Sequence, residues 1–305
     1  MDIQNAGILF PGQGAQNVGM GSWLCENFAK AKERFTEASD VLGYDLAELC
    51  QQGPAEKLDA TQYSQPALFT VGIVAAEILG DEHPERIEAV KAAAGLSLGE
   101  YTAVCFAGGL QFADALRLVQ KRGEAMQAAA DAVRSGMASV LGMDLDQVQS
   151  LCDQVRGDDV LRPANLLCPG NIAVSGHLAA LDRLEPVALE SGAMKVVRLS
   201  VAGAFHTSLM APAVDALTQA LADMPIVETR IPVYSNVDAA PHQSADEIRE
   251  LLSKQVTQPV LWEASVRRMI NDGVEGFLEV GTGRVLRGTL KRIERKFPTD
   301  GFGDG

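Results

Sequence analysis

Apolar and polar positions along the chain follow two different periods, and the switches between them predict its elements. The apolar run AGILF (6–10) precedes a glycine-rich stretch, PGQGAQNVGMG, and then ENFAKAKERFTEASDVLG (26–43), whose apolar residues recur at helical spacing up to a closing glycine. A strand, a loop and an amphipathic helix are predicted. SQPALFTVGIVAAEIL (64–79) is apolar all round, as a buried helix is, and the polar GDEHPE (80–85) breaks it. AVKAAAG (89–95) then predicts a buried strand, GLSLG a tight turn and EYTAVCFAG a helix.

From residue 137 the rhythm changes. MASVL predicts a strand, DLDQVQSLCDQV a helix behind an aspartate cap, LRPANLL a strand, CPGN a turn, IAVSG a strand, HLAALDRLEPVALESG a helix and MKVVRLSV (194–201) a strand. That β-α-β-β-α-β order is ferredoxin-like. IPVYSNV (231–237), SADEIRELLSKQV, SVRRMINDG and GFLEVG then return to strand and helix alternation. The expected fold class is α/β. A large catalytic domain, residues 1–134 and 203–305, carries a mostly parallel sheet, and a small ferredoxin-like subdomain is inserted at 135–202.

Composition narrows the picture. With 305 residues, 47% hydrophobic and 22% charged, the chain can bury a substantial core. Its longest apolar stretch, ALFTVGIVAAEIL (67–79), is too short to cross a bilayer, and MDIQNAG has no signal or transit character. A cytoplasmic protein without membrane contact is expected, or a plastid-stromal one if a transit peptide has been removed. Cys25, Cys50, Cys105, Cys152 and Cys168 are odd in number and widely spaced without C-x-x-C, so neither disulfides nor a metal site are expected. A net charge of −14 disfavours nucleic acid. An anionic partner would need a local basic patch such as GRVLRGTLKRIERK (283–296), which reads equally as a solvated helix end.

Gly95-Leu96-Ser97-Leu98-Gly99 has the G-x-S-x-G pattern between an apolar strand and a helix, the setting of a nucleophile elbow. The bland alternative is a helix-start turn. A serine nucleophile needs a base, and four histidines are available. His83 and His242 lie in polar loops as solvated rings, and His177 opens a helix, where capping explains it. His206, in VAGAFHTSLMAPA, follows a strand at the edge where open α/β sheets place ligands, so it is the candidate base, or else a core histidine. The backbone N–H of Leu98, with a second near Gln13 in FPGQGAQ, could form an oxyanion hole. That loop fails as a dinucleotide fingerprint because its third glycine comes late, and as a phosphate loop because Met20 stands where lysine is required.

In FADALRLVQKRGEAMQ (112–127), Arg122 falls within the apolar stripe, and no acid occupies the positions three or four residues away on that stripe. Either a distant carboxylate pairs with it, or it awaits a carboxylate on a ligand.

With these residues in view, the chain resembles the malonyl-CoA:acyl-carrier-protein transacylases of fatty acid synthesis. FPGQGAQ, SQPALF, GLSLGEYTA, KRGEAMQ, CPGNIAVSG, GAFHTSLMAPA, IPVYSNV, KQVTQPVLWEASV and LEVGTGRVL occur in that family's order. The resemblance implies a hydrolase-like α/β core with a ferredoxin-like insertion. It implies Ser97 as the nucleophile carrying a malonyl ester, His206 as general base, and Gln13 and Leu98 N–H groups as oxyanion donors. Arg122 would clamp the malonyl carboxylate, and the carbonyl of Gln255 would orient the imidazole. It implies ping-pong transfer from the coenzyme A thioester to the phosphopantetheine thiol of acyl carrier protein, by a monomer with no cofactor beyond its substrates. Leu96 stands where many bacterial members have histidine, Leu261 replaces a common glutamine and Thr282 a common proline; Phe205 matches malonyl-selective members. An acyltransferase of a polyketide pathway, a serine esterase and a non-catalytic carrier-binding module are the competing readings.

Overall fold

A computed structural model describes residues 3–303. Among them, ten strands follow in chain order: β1 (Ala6–Phe10), β2 (Val90–Gly95), β3 (Ser135–Leu141), β4 (Leu161–Cys168), β5 (Asn171–His177), β6 (Lys195–Arg198), β7 (Val233–Tyr234), β8 (Pro241–His242), β9 (Gly276–Val280) and β10 (Thr299–Phe302). Six form one sheet in the order β10-β9-β1-β2-β7-β8, parallel except for the β7–β8 pair. Every residue of β1 and β9 is buried, as a parallel sheet covered on both faces requires. The helix Thr61–Glu82 carries buried residues on all sides and packs within the main core.

The remaining four strands form an antiparallel sheet in the order β4-β5-β3-β6, with the helices Leu145–Val155 and Leu178–Glu190 packed on it. This is the ferredoxin-like topology expected from the β-α-β-β-α-β order. An isolated bridge between Asn165 and Val260 ties it to the large sheet's side of the molecule.

Two expected strands are shorter in the structure, and both shortfalls lead to the site. Of residues 194–201 only Lys195–Arg198 form the strand; Leu199 N–H still reaches Met137 O, and beyond it Val201 N–H bonds back to Leu199 O and the chain turns. Of residues 231–237 only Val233 and Tyr234 pair with β2, because the N–H groups that follow go elsewhere, that of Ser235 to Ala240 O and that of Asn236 to the Glu100 carboxylate. β8 and β10 were not predicted; Pro241–His242 is two residues long and Thr299–Phe302 contains Asp-Gly, so neither has a strand-like pattern. The predicted first helix divides at Phe28, whose extended backbone separates Ser22–Asn27 from Ala29–Leu42.

Candidate active site

Three glycines fix the framework. A Cβ on Gly99 would stand 2.1 Å from the carbonyl oxygen of Phe10, one on Gly12 would stand 2.1 Å from that of Leu96, and one on Gly95 would overlap Gly99. Backbone therefore packs on backbone where the loop after β1 meets the turn after β2, which brings Gln13 and Leu98 to the wall of one cavity. Ser97 occupies the turn at φ 52°, ψ −102°, a conformation that costs about 1–3 kcal/mol and that the surroundings must impose. Asn236 imposes it: its Oδ1 accepts from Ser97 N–H at 2.7 Å while its Nδ2 donates to Gly95 O at 2.8 Å. Leu98 begins the following helix, so its N–H has no acceptor within that helix.

His206 also lies in the left-handed region, at φ 63°, and is 2% exposed. Its Nδ1 is 2.8 Å from the main-chain carbonyl of Gln255. A carbonyl can only accept, so Nδ1 carries the proton and the Nε2 lone pair faces Ser97 Oγ, 2.8 Å away. Burial, with the Arg122 charge as the next cause, lowers the His206 pKa to about 4, so the imidazole is neutral at pH 7.

Arg122 completes the cluster. Its guanidinium donates to Gln65 Oε1 at 2.6 Å, Gln255 Oε1 at 2.9 Å and Ser97 Oγ at 3.1 Å, and lies over the Tyr101 ring at 5.0 Å. No carboxylate touches it among the described residues, and its buried Nε has no partner there. Of the two readings of Arg122, a carboxylate in contact is not what satisfies it, although the Glu100 charge acts on it from a distance. The hydroxyl of Ser97 donates to the imidazole while accepting from the guanidinium, two roles that one hydroxyl fills together. A cavity of about 70 Å³ opens beside it, walled by Leu96, Met126, Met137, Leu199, Val201 and Phe205.

All six sequence-derived candidates, Gln13, Ser97, Leu98, Arg122, His206 and Gln255, meet here. The other histidines lie elsewhere. His177 stands at a helix start but does not cap it; its Nδ1 accepts from Val160 N–H instead. His242 is not a solvated ring, because Asp238 and Glu247 flank it and little of it reaches solvent. In the basic segment, Arg287 pairs with the buried Glu279 and Arg292 donates to the carbonyls of Pro169 and Gly170, so these two cations have structural work.

Sequence reasoning missed Glu100, Asn236 and Asn165. Asn165 lines the cavity with a buried Oδ1 that has no partner among the described residues. Glu100 is 3% exposed on the apolar helix Leu98–Phe106, and burial pushes its carboxyl up to about 7. An acid three residues beyond the candidate serine, within an apolar helix, is the available signal, although a first-turn charge favoured by the helix dipole has the same appearance in sequence.

The chain belongs to the acyl transferase domain family, which it matches over residues 8–295, and it is an acyltransferase. It is 40% identical over 286 residues to a malonyl CoA-acyl carrier protein transacylase of Escherichia coli O157:H7, covering 94% of this chain and 92% of the relative. The Bacillus subtilis (strain 168) protein of the same name is 39% identical over 298 residues, covering 97% and 93%. Among solved structures, the malonyl CoA-acyl carrier protein transacylase of Coxiella burnetii superposes with a TM-score of 0.93 at 36% identity, over 98% of this chain and 94% of that one. A malonyl-transacylase solved in complex with its type II PKS acyl-carrier protein gives 0.95 at 36% identity, over 99% and 96%.

Proposed function

We propose that this acyltransferase moves a malonyl group from coenzyme A to the phosphopantetheine thiol of acyl carrier protein, in fatty acid synthesis, through an ester on Ser97. The observation that carries the reading is the shared Ser97 oxygen. Its proton points at a neutral imidazole and its lone pair at a buried guanidinium that no carboxylate touches among the described residues.

In the first half-reaction His206 Nε2 takes the hydroxyl proton as Ser97 Oγ attacks the thioester carbonyl. The Oγ–C bond forms, the N–H groups of Gln13 and Leu98 hold the oxyanion, and the C–S bond breaks as the imidazolium returns its proton to the thiolate. In the second half-reaction the carrier's thiol gives its proton to the same imidazole and attacks the ester carbonyl; the S–C bond forms, the Oγ–C bond breaks, and the imidazolium returns the proton to Ser97 Oγ. Arg122 holds the free carboxylate of the acyl group, which keeps the ester carbonyl against its donors in both halves. Gln255 holds the Nδ1–H tautomer through its carbonyl, the role an aspartate has in hydrolase triads. No cofactor enters this scheme.

The names of the relatives support malonyl as the acyl group and acyl carrier protein as the acceptor. The complex with a type II PKS carrier keeps a polyketide carrier as a second acceptor class.

Intact-mass measurement after incubation with malonyl-CoA tests the proposal. The parent chain should gain one malonyl group and lose it to carrier thiol, while Ser97→Ala should gain none. An adduct on Ser97→Ala, or steady release of free malonate from the parent at a rate equal to thiol transfer, contradicts it.

A further inference from the structure

Glu100 takes no part in the scheme above, yet it is a buried carboxyl at the centre of the hydrogen bonds that hold the scheme's groups. Its Oε2 accepts from Gln255 Nε2 at 2.5 Å and from Asn236 N–H at 3.1 Å. Gln255 Nε2 also donates to Ser97 O at 3.0 Å, and its Oε1 accepts from Arg122. The same residue's main-chain carbonyl holds His206. Asn236 in turn holds the Ser97 and Gly95 backbones.

An amide side chain has two ends of opposite character, and which end faces the guanidinium depends on what the other end meets. Turned round, Gln255 would aim N–H groups at Arg122 and an oxygen at a carboxylate. We propose that Glu100 is the positioning residue of this site: by accepting from Gln255 and Asn236 it sets the Gln255 amide so that Arg122 is aimed at the acyl carboxylate, and it keeps the Ser97 turn in place. The inference rests on the transacylase reading, since Arg122 matters most where the acyl group carries a carboxylate.

Both bonds are accepted by one oxygen, so the arrangement holds whether or not a proton sits on the other. Glutamine can present one carbonyl oxygen in the same place and reproduce it; alanine cannot. The positioning role separates into two parts. Loss of the Asn236 contact loosens the Ser97 turn and slows transfer of every acyl group alike. Loss of the Gln255 contact misaims Arg122 and adds a loss confined to acyl groups with a carboxylate, for which a misplacement of about 1 Å costs on the order of 100-fold.

The test compares transfer of malonyl and acetyl from coenzyme A by the full chain. Glu100→Ala should lower kcat/KM about 100-fold for malonyl and about 10-fold for acetyl, and Glu100→Gln should stay within about fivefold of the parent for both. Gln255→Leu, which keeps the main-chain carbonyl, should lose malonyl relative to acetyl as well, and adding Glu100→Ala to it should widen that ratio no further. Should Glu100→Ala fail to fold, Glu100→Gln and Gln255→Leu carry the comparison. Equal losses for the two acyl groups in Gln255→Leu, or a Glu100→Gln variant as impaired as Gln255→Leu, overturn the inference. Ester formation on Ser97 of the parent is read alongside. Its absence refutes the transacylase reading, whereas a normal ester with no acyl-dependent difference refutes the Glu100 role alone.

Discussion

Replacing Arg122 by alanine removes a guanidinium that is 1% exposed and is held by three neutral oxygens, those of Gln65, Gln255 and Ser97. In the proposed cycle it makes two charge-assisted hydrogen bonds to the acyl carboxylate, each worth about 1.5–3 kcal/mol. Their loss amounts to about 3–6 kcal/mol, or on the order of 10²–10⁴ in kcat/KM for malonyl-CoA at 1.36 kcal/mol per tenfold. An acetyl group forfeits only the bond from Arg122 to Ser97 Oγ, about 1.5–3 kcal/mol or on the order of 10–10². Malonyl forfeits that bond as well, so the malonyl-to-acetyl ratio should fall by the clamp alone, on the order of 10²–10⁴, read from the two thioesters under identical conditions. A second consequence follows from charge. Arg122 is, after burial, a cause of the low pKa of His206, so without it that pKa rises from about 4 and the acid limb of the rate profile moves to higher pH. Stability should fall too, since Gln65 Oε1 and Gln255 Oε1 lose a buried donor at about 1–3 kcal/mol each. A folded Arg122→Ala chain with an unchanged malonyl-to-acetyl ratio would refute the carboxylate clamp.

Two further outcomes follow from the same coordinates. His206 titrates near 4 in the folded chain and near its ordinary 6.5 when unfolded, so between those values the unfolded chain binds more protons. Its contribution to stability is whole above about pH 6.5 and is lost as pH falls toward 4; denaturant midpoints at pH 7 and 5 should drop more in the parent than in His206→Ala, and parallel drops would deny the shift. Gly99→Ala places a Cβ 2.1 Å from Phe10 O and 3.0 Å from Pro11 O, which should cost at least about 1–3 kcal/mol and slow ester formation by parting Gln13 from Leu98. Gly14→Ala meets nothing within 4 Å and should lose only the smaller cost of its left-handed backbone; equal midpoints for the two variants would contradict the close-packing account.

Much of this protein was legible from residue order. The two periods of the apolar pattern announced a mixed fold with a ferredoxin-like part, because side-chain alternation and helical spacing are local properties. Gly-x-Ser-x-Gly between an apolar strand and a helix marked Ser97, and an arginine in an apolar stripe marked Arg122, because a buried charge contradicts its own surroundings. Residue order alone left open whether Arg122 was paired, and it overstated two strands near the site. Pairing is a matter of what arrives from elsewhere in the chain. Gln65, Glu100, Asn236 and Gln255 come from three helices and a turn, and their amide and carboxyl groups acquire direction only when those segments close around one serine. Glu100 shows the division most clearly: in sequence it is an ordinary acid at a helix start, and folding alone buries it where one oxygen can set two neighbours.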